Sequence, residues 1–198
     1  MSIDSATLSP PPMRADARRN YERLLAAARD TFAEQGPDAS LDEIAKRAGV
    51  GIGTLYRHFP TRLAMQEAVV RDQNEVSRAQ AVALLAAPSP GEALATWLRA
   101  ELGRLAIYHG LGAAVINSAL DGQPSTSCAD LTAAAGALLR RAQQAGEIRS
   151  DIDITTLLRL NSAIATATEQ ACDGGAQAER LLAIMLDGLR SPTHPTGA

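Results

Sequence analysis

"SLDEIAKRAGVGIGTLYRHFP", residues 40–60, is the stretch on which the reading of this chain turns. Ser40 followed three residues later by Glu43 is a capping box: the hydroxyl can accept from the Glu43 amide, and the Glu43 carboxylate can reach back to the Ser40 amide. Ile44, Ala45 and Ala48 carry an apolar stripe for about two turns, and Gly49 closes it. Gly51 and Gly53 follow at once, although glycine inside a helix costs about 1 kcal/mol relative to alanine. By position the three glycines separate. Gly49 suits a left-handed helix end, Gly51 an N-cap, and Gly53 a place where bare backbone comes close to a phosphate or a base. Thr54 to His58 complete a short helix, and Pro60 stops the run.

Outward from this stretch, residues 16–35 form a longer helix with Tyr21, Leu24, Leu25, Ala28 and Phe32 on one face, ended by Gly36-Pro37. Two short helices joined by a tight glycine turn, behind a bracing helix, describe a helix-turn-helix, whose second helix lies in the major groove of DNA. Thr54, Tyr56 and His58 offer donors for phosphate oxygens, which set register. Ile52 suits a thymine methyl and Arg57 a bidentate contact to guanine. Leu55 and Phe59, four apart, anchor the helix to its neighbours. Arg62 opens the next helix, where a cation opposes the dipole unless a phosphate is shared between it and the helix amides. Each residue also has a plain alternative as a core aromatic or a solvated charge; the constellation is what points to DNA.

The whole chain sets bounds on this reading. It has 198 residues, 46% hydrophobic and 3% aromatic, a balance that favours helices over sheets. No run approaches the roughly 18 apolar residues of a membrane span, and the first residues resemble no secretory signal, so residues 1–13 are expected to be a flexible arm. Cys128 and Cys172 lack C-x-x-C spacing and read as buried thiols in a reducing cytoplasm. The three histidines form no metal-ligand pattern, so no metal site or cofactor is expected. The net charge of −3 alone argues against a nucleic-acid partner, but residues 14–62 carry nine basic against seven acidic groups, while the rest carries ten against fifteen. The basic excess sits at one end.

Beyond residue 62 the periodicity predicts helices over 61–87, 91–108, 110–120, 126–145, 153–172 and 175–190, with a frayed tail at 191–198. The expected fold is therefore all-α, with about nine helices: a three-helix DNA-binding domain at 14–62 and a helical bundle at 63–190. No nucleophile–base pair or metal cluster emerges, so an enzyme is not expected.

The segment "TFAEQGPDASLDEIAKRAGVGIGTLYRHFPTR", residues 31–62, resembles the DNA-binding region of TetR/AcrR-type transcriptional regulators, and the match extends back through "RRNYERLLAAARD". The resemblance implies groove contacts from the helix at 51–58, and phosphate contacts from Ser40, Thr54, Tyr56, His58 and Arg62. This chain departs from the common pattern at Gly51, often serine, and at Leu63, often glutamate. The resemblance further implies a regulatory domain that holds a small-molecule effector and dimerises through its last two helices. Residues 157–171, with Leu160, Ala163, Ile164 and Ala167, and residues 179–189, with Leu182, Met185, Leu186 and Leu189, would form that interface; the same faces also fit burial within one chain. Trp97, Tyr108, His109, Asn117 and Glu169 are the candidates for the effector site, although Trp97 and Tyr108 are more often plain core residues and His109, beside a glycine break, also fits a surface turn. The implied function is a cytoplasmic, homodimeric regulator, a repressor, on a pseudo-palindromic operator. The alternative is a helical module that binds small molecules or proteins without DNA.

Overall fold

The computed structural model describes residues 12–108, 111, 126–169 and 173–190. Eight helices are present among them: α1 Pro12–Gln35, α2 Leu41–Arg47, α3 Ile52–His58, α4 Arg62–Leu84, α5 Pro90–Ile107, α6 Thr126–Gln144, α7 Ile154–Thr168 and α8 Gly174–Leu189. An isolated antiparallel bridge, Ile148 with Arg190, is the extended pairing among the described residues. The all-α expectation is met. The helix expected at 110–120 lies outside the described residues apart from helical Leu111. The chain divides into two compact units, Met1–Val69 and Val70–Ala198, so the division falls within α4 rather than at residue 62.

In the first unit α1 buries Leu24, Ala28 and Phe32 completely, as the spacing predicts, while Tyr21 and Leu25 are half-buried. Gly36 takes φ 80° and donates to the Phe32 carbonyl at 2.9 Å, which turns the chain out of the helix. Ser40 caps α2, accepting from the Glu43 amide at 3.5 Å, a long contact. Only this half of the capping box is made. Ile44, Ala45 and Leu41 bury the inner face of α2, and Leu55 and Phe59 anchor the third helix. Fully burying a leucine or phenylalanine is worth roughly 1.5–3 kcal/mol, so these anchors outweigh the poor intrinsic stability of seven-residue helices.

In the second unit, the core is built on Leu94, Trp97 and Leu98 of α5, Leu138 and Leu139 of α6, Leu157 of α7 and Leu182 of α8. Pro90 occupies the first turn of α5, where its missing donor costs nothing, and the Glu147 carboxylate accepts from the Gly91 amide at 2.8 Å. A polar seam joins α4 to α5. Ser77 donates to Glu101 at 2.6 Å, and Arg104 reaches Ser77, Gln80 and the same Glu101 oxygen. No helix among the described residues is long and apolar enough to cross a membrane. Cys128 is exposed, contrary to the expectation of a buried thiol, because it falls on the outer side of α6 in its first turns; Cys172 lies outside the described residues.

Candidate nucleic-acid interface

The turn between α2 and α3 is fixed by backbone. Val50 donates to Ala45 at 3.0 Å and Gly49 donates to Lys46 at 3.0 Å, the paired bonds of a Schellman motif. The motif requires a left-handed residue, and Gly49 has φ 64°. The Arg23 guanidinium donates to the Gly49 carbonyl at 3.3 Å, so α1 holds the turn from behind. A Cβ on Gly49 would stand 2.4 Å from that guanidinium. Gly51 is the N-cap of α3 in extended conformation, φ −71° and ψ 148°, and supplies no side-chain cap.

Helical spacing sorts the residues of α3. Leu55, fully buried, faces inward; Gly53 and Arg57, one turn apart, lie on the opposite ridge, with Ile52 and Tyr56 flanking it. Tyr56 is 49% exposed and Ile52 36% exposed. No atom comes within 4 Å of a Cβ built on Gly51 or Gly53, so the fold would accommodate a side chain at either place. Thr54 is half-buried beside them and Ser40 exposed. His58 is half-buried, its ring edge-on to Tyr21 with centroids 6.1 Å apart, and Phe59 stacks on Tyr21 at 5.1 Å. Tyr21 therefore orients the end of α3.

The cations of this unit are mostly committed. Arg18 pairs with Glu22 at 2.9 Å, Arg19 pairs with Asp16, and Arg47 grips Glu34 with two bonds of 2.7 and 2.8 Å. The Arg47 guanidinium holds the Glu34 carboxyl below the usual carboxylate range. Arg62 has a task the sequence did not disclose. Its Nη1 donates to the carbonyls of Pro37 and Ala39, beside Gln66, which donates to Pro37 at 2.9 Å. It clamps the α1–α2 connection, and that bonding takes up part of the guanidinium expected on a phosphate. Arg57 and Lys46 are exposed and make no hydrogen bond or ion pair among the described residues. Lys46 escapes a sequence reading because the apolar spacing of α2 marks its buried face and says nothing of its exposed one.

The chain matches the family described as bacterial regulatory proteins of the tetR family over residues 24–69, and the C-terminal domain of SbtR-like transcriptional regulators over residues 89–191. The second match alone spans half of the chain. The chain belongs to the TetR family of transcriptional regulators. A crystal structure of a TetR transcriptional regulator from Streptomyces coelicolor is 41% identical, with a TM-score of 0.70, over 87% of this chain and 99% of that one. An uncharacterised HTH-type regulator of Pseudomonas putida, TtgW, is 44% identical over 57 residues, which is 28% of this chain and 42% of the relative. The chain thus matches under half the length of that curated relative. The fold alone is shared with a Thermus thermophilus TetR-family repressor, FadR, solved with lauroyl-CoA, at 22% identity and a TM-score of 0.57.

In the regulatory unit of this TetR-family chain, the remaining candidates separate by burial. Trp97 is fully buried and spends its one donor on the Ser77 carbonyl at 3.1 Å, which places it in the core of the unit. Tyr108 is the half-buried C-cap of α5, and His109 and Asn117 lie outside the described residues. Glu169 is exposed at the end of α7, beside a cavity of about 290 Å³ between α5, α7 and α8. Of the residues expected at a dimer interface, Leu182, Leu186 and Leu189 are 0%, 8% and 3% exposed and pack in the core of their own chain. Their spacing of four and three fits any apolar neighbour, and α5 and α7 supply it. Leu160, Ala163 and Ala167 face outward, and Ile164 and Met185 are half-buried. Ile184, 69% exposed on α8, is the apolar side chain that the sequence reading missed.

Proposed function

We propose that this protein is a homodimeric, effector-controlled repressor that places α3 in the major groove of a pseudo-palindromic operator. One observation carries the reading. The ridge of α3 opposite its Leu55 anchor holds Gly53 and Arg57, flanked by Ile52 and Tyr56, and no packing or hydrogen bond among the described residues needs the Gly53 and Arg57 positions. Arg57 and Ile52 read base edges; Thr54, Tyr56 and Ser40 fix register on phosphates, helped by Lys46. His58 supports the helix from its packed position on Tyr21, and bare backbone at Gly51 and Gly53 admits the close approach of the duplex. Arg62 contributes by holding the α1–α2 connection.

Dimerisation uses the outward apolar side chains Leu160, Ala163, Ala167 and Ile184, with Ile164 and Met185 at their edge. Two copies would present two copies of α3, which is what a repeated half-site requires. The protein acts in the cytoplasm, where DNA and effector meet, and an effector acts by preferring one conformation of the dimer. Family and fold point to regulation rather than catalysis.

Selection of bound sequences from random DNA tests the reading. Enrichment of an inverted repeat by the wild type, with the preferred bases changed in Arg57→Ala, is the expected result. Recovery of no motif at low salt would favour a helical module that does not bind an operator.

A further inference from the structure

Three glycines among the described residues would bring a Cβ within 3.0 Å of another group, and the group differs. At Gly49 it is the Arg23 guanidinium and at Gly91 the Glu147 carboxylate, each the far end of a long side chain that can swing aside. At Gly174 it is the backbone carbonyl oxygen of Thr168. A carbonyl in the last turn of a helix has no rotamer to change. The neighbouring residue sharpens the contrast, since a Cβ on Gly175 meets nothing within 4 Å.

Both sides of the contact are fixed. Thr168 ends α7, is 5% exposed, and donates its hydroxyl to the Ile164 carbonyl at 2.9 Å. Gly174 opens α8, and Ala178, one turn on, is buried in the same core as Ala165 of α7. The two helices therefore meet backbone to backbone, the negative end of one dipole against the positive end of the other.

A methyl group at position 174 has to lift the start of α8 off the end of α7 by on the order of 1 Å. Leu182 and Leu186 hold the later turns of α8 in the core, so the helix tilts rather than slides. A tilt changes how the outward side chains of α7, Leu160, Ala163 and Ala167, stand relative to Ile184 of α8. In a two-fold interface that error is made twice, once by each copy. We propose that Gly174 is a positioning residue for dimerisation: it lets α8 start close enough to α7 for the two helices to offer one face to a second copy. The inference rests on the homodimeric reading above and names the residue that shapes its interface.

Gly174→Ala and Gly175→Ala, each made in the full chain, test it. In sedimentation the Gly174→Ala dimer is expected to dissociate at least about ten-fold more readily than the wild type, with Gly175→Ala unchanged. Binding of Gly174→Ala to the inverted repeat enriched by the wild type should weaken at least about ten-fold, while binding to a single half-site stays within about two-fold. Circular dichroism below the concentration of dimer formation separates positioning from folding, and the helix content of the Gly174→Ala monomer is expected to match the wild type. An equally tight dimer in Gly174→Ala, the same loss in Gly175→Ala, or a fall in the helix content of the Gly174→Ala monomer overturns the proposal. The two readings fail separately. A wild type that sediments as a monomer sinks the homodimer and this role with it, whereas a Gly174→Ala dimer as tight as the wild type sinks the role of the glycine alone.

Discussion

The two units of the chain use the same ion pair in opposite ways. In the first, Arg47 and Glu34 meet at the surface with side chains 40% and 53% exposed; in the second, Arg104 and Glu101 meet at 16% and 12%, inside the α4–α5 seam. A surface pair adds little to stability and can be lost cheaply. Removing one member of a buried pair leaves an uncompensated charge, whereas replacing both members by apolar groups is often neutral. The first unit therefore keeps its fasteners where water can replace them, and leaves its reading ridge free. The second unit has its polar specificity locked within its core.

The largest effect should come from the buried pair. Arg104→Ala is expected to destabilise the second unit by about 3–5 kcal/mol in urea denaturation, and replacing both Glu101 and Arg104 by leucine to restore most of that loss. A small effect of the single change would erase the contrast with Arg47. Next come the glycines of the turn. Gly49→Ala should cost about 1–2 kcal/mol because its φ of 64° is left-handed, and it must also displace Arg23. Gly53→Ala should have the other sign, stabilising the first unit by about 0.5–1 kcal/mol while weakening operator binding. Thermal melts paired with DNA titrations check both, and a destabilising Gly53→Ala would mean the fold itself needs that glycine.

Smaller effects sharpen the division between fastening and reading. Arg57→Ala should relax base preference at its position by about 1–3 kcal/mol, Lys46→Ala should lower the slope of log affinity against log salt by about one, and Arg62→Ala should lower stability with little change in slope. The smallest concerns pH. Arg47 depresses the Glu34 pKa in the folded state, so the pair's stabilisation is present above the ordinary glutamate range and is lost as pH falls through the depressed value. Acid titration of wild type and Glu34→Gln, followed by circular dichroism, should show the wild type losing stability more steeply at the acid end.

The first unit was legible because its signals are local. The Ser40 cap, the Gly49 turn and the Leu55–Phe59 spacing each depend on neighbours within a few residues. Arg62 escaped because its partners, Pro37 and Ala39, lie 25 and 23 residues earlier, and a charge in a first turn gives no sign of a carbonyl waiting elsewhere. The second unit was legible as helices but not as surfaces. Leu182, Leu186 and Leu189 have the same spacing whether their neighbour is α5 or another chain. Within the apolar run "LLAIMLDGL", Ile184 turns outward only once those leucines have been placed. Trp97 read more readily as core than as pocket, and its partner, the Ser77 carbonyl, lies twenty residues earlier where no local signal shows it.

The Schellman turn at Gly49 bears on how such a protein can change. The angle between α2 and α3 is set by main-chain bonds, a left-handed glycine and the Arg23 brace, none of which belongs to the exposed ridge. On the proposed reading, substitutions at Ile52, Gly53, Tyr56 or Arg57 would alter which duplex is preferred while the presentation of the helix stays constant. Evolution is given a keyboard whose frame does not move when a key is replaced, so new operators lie within a few stability-neutral steps of the present one.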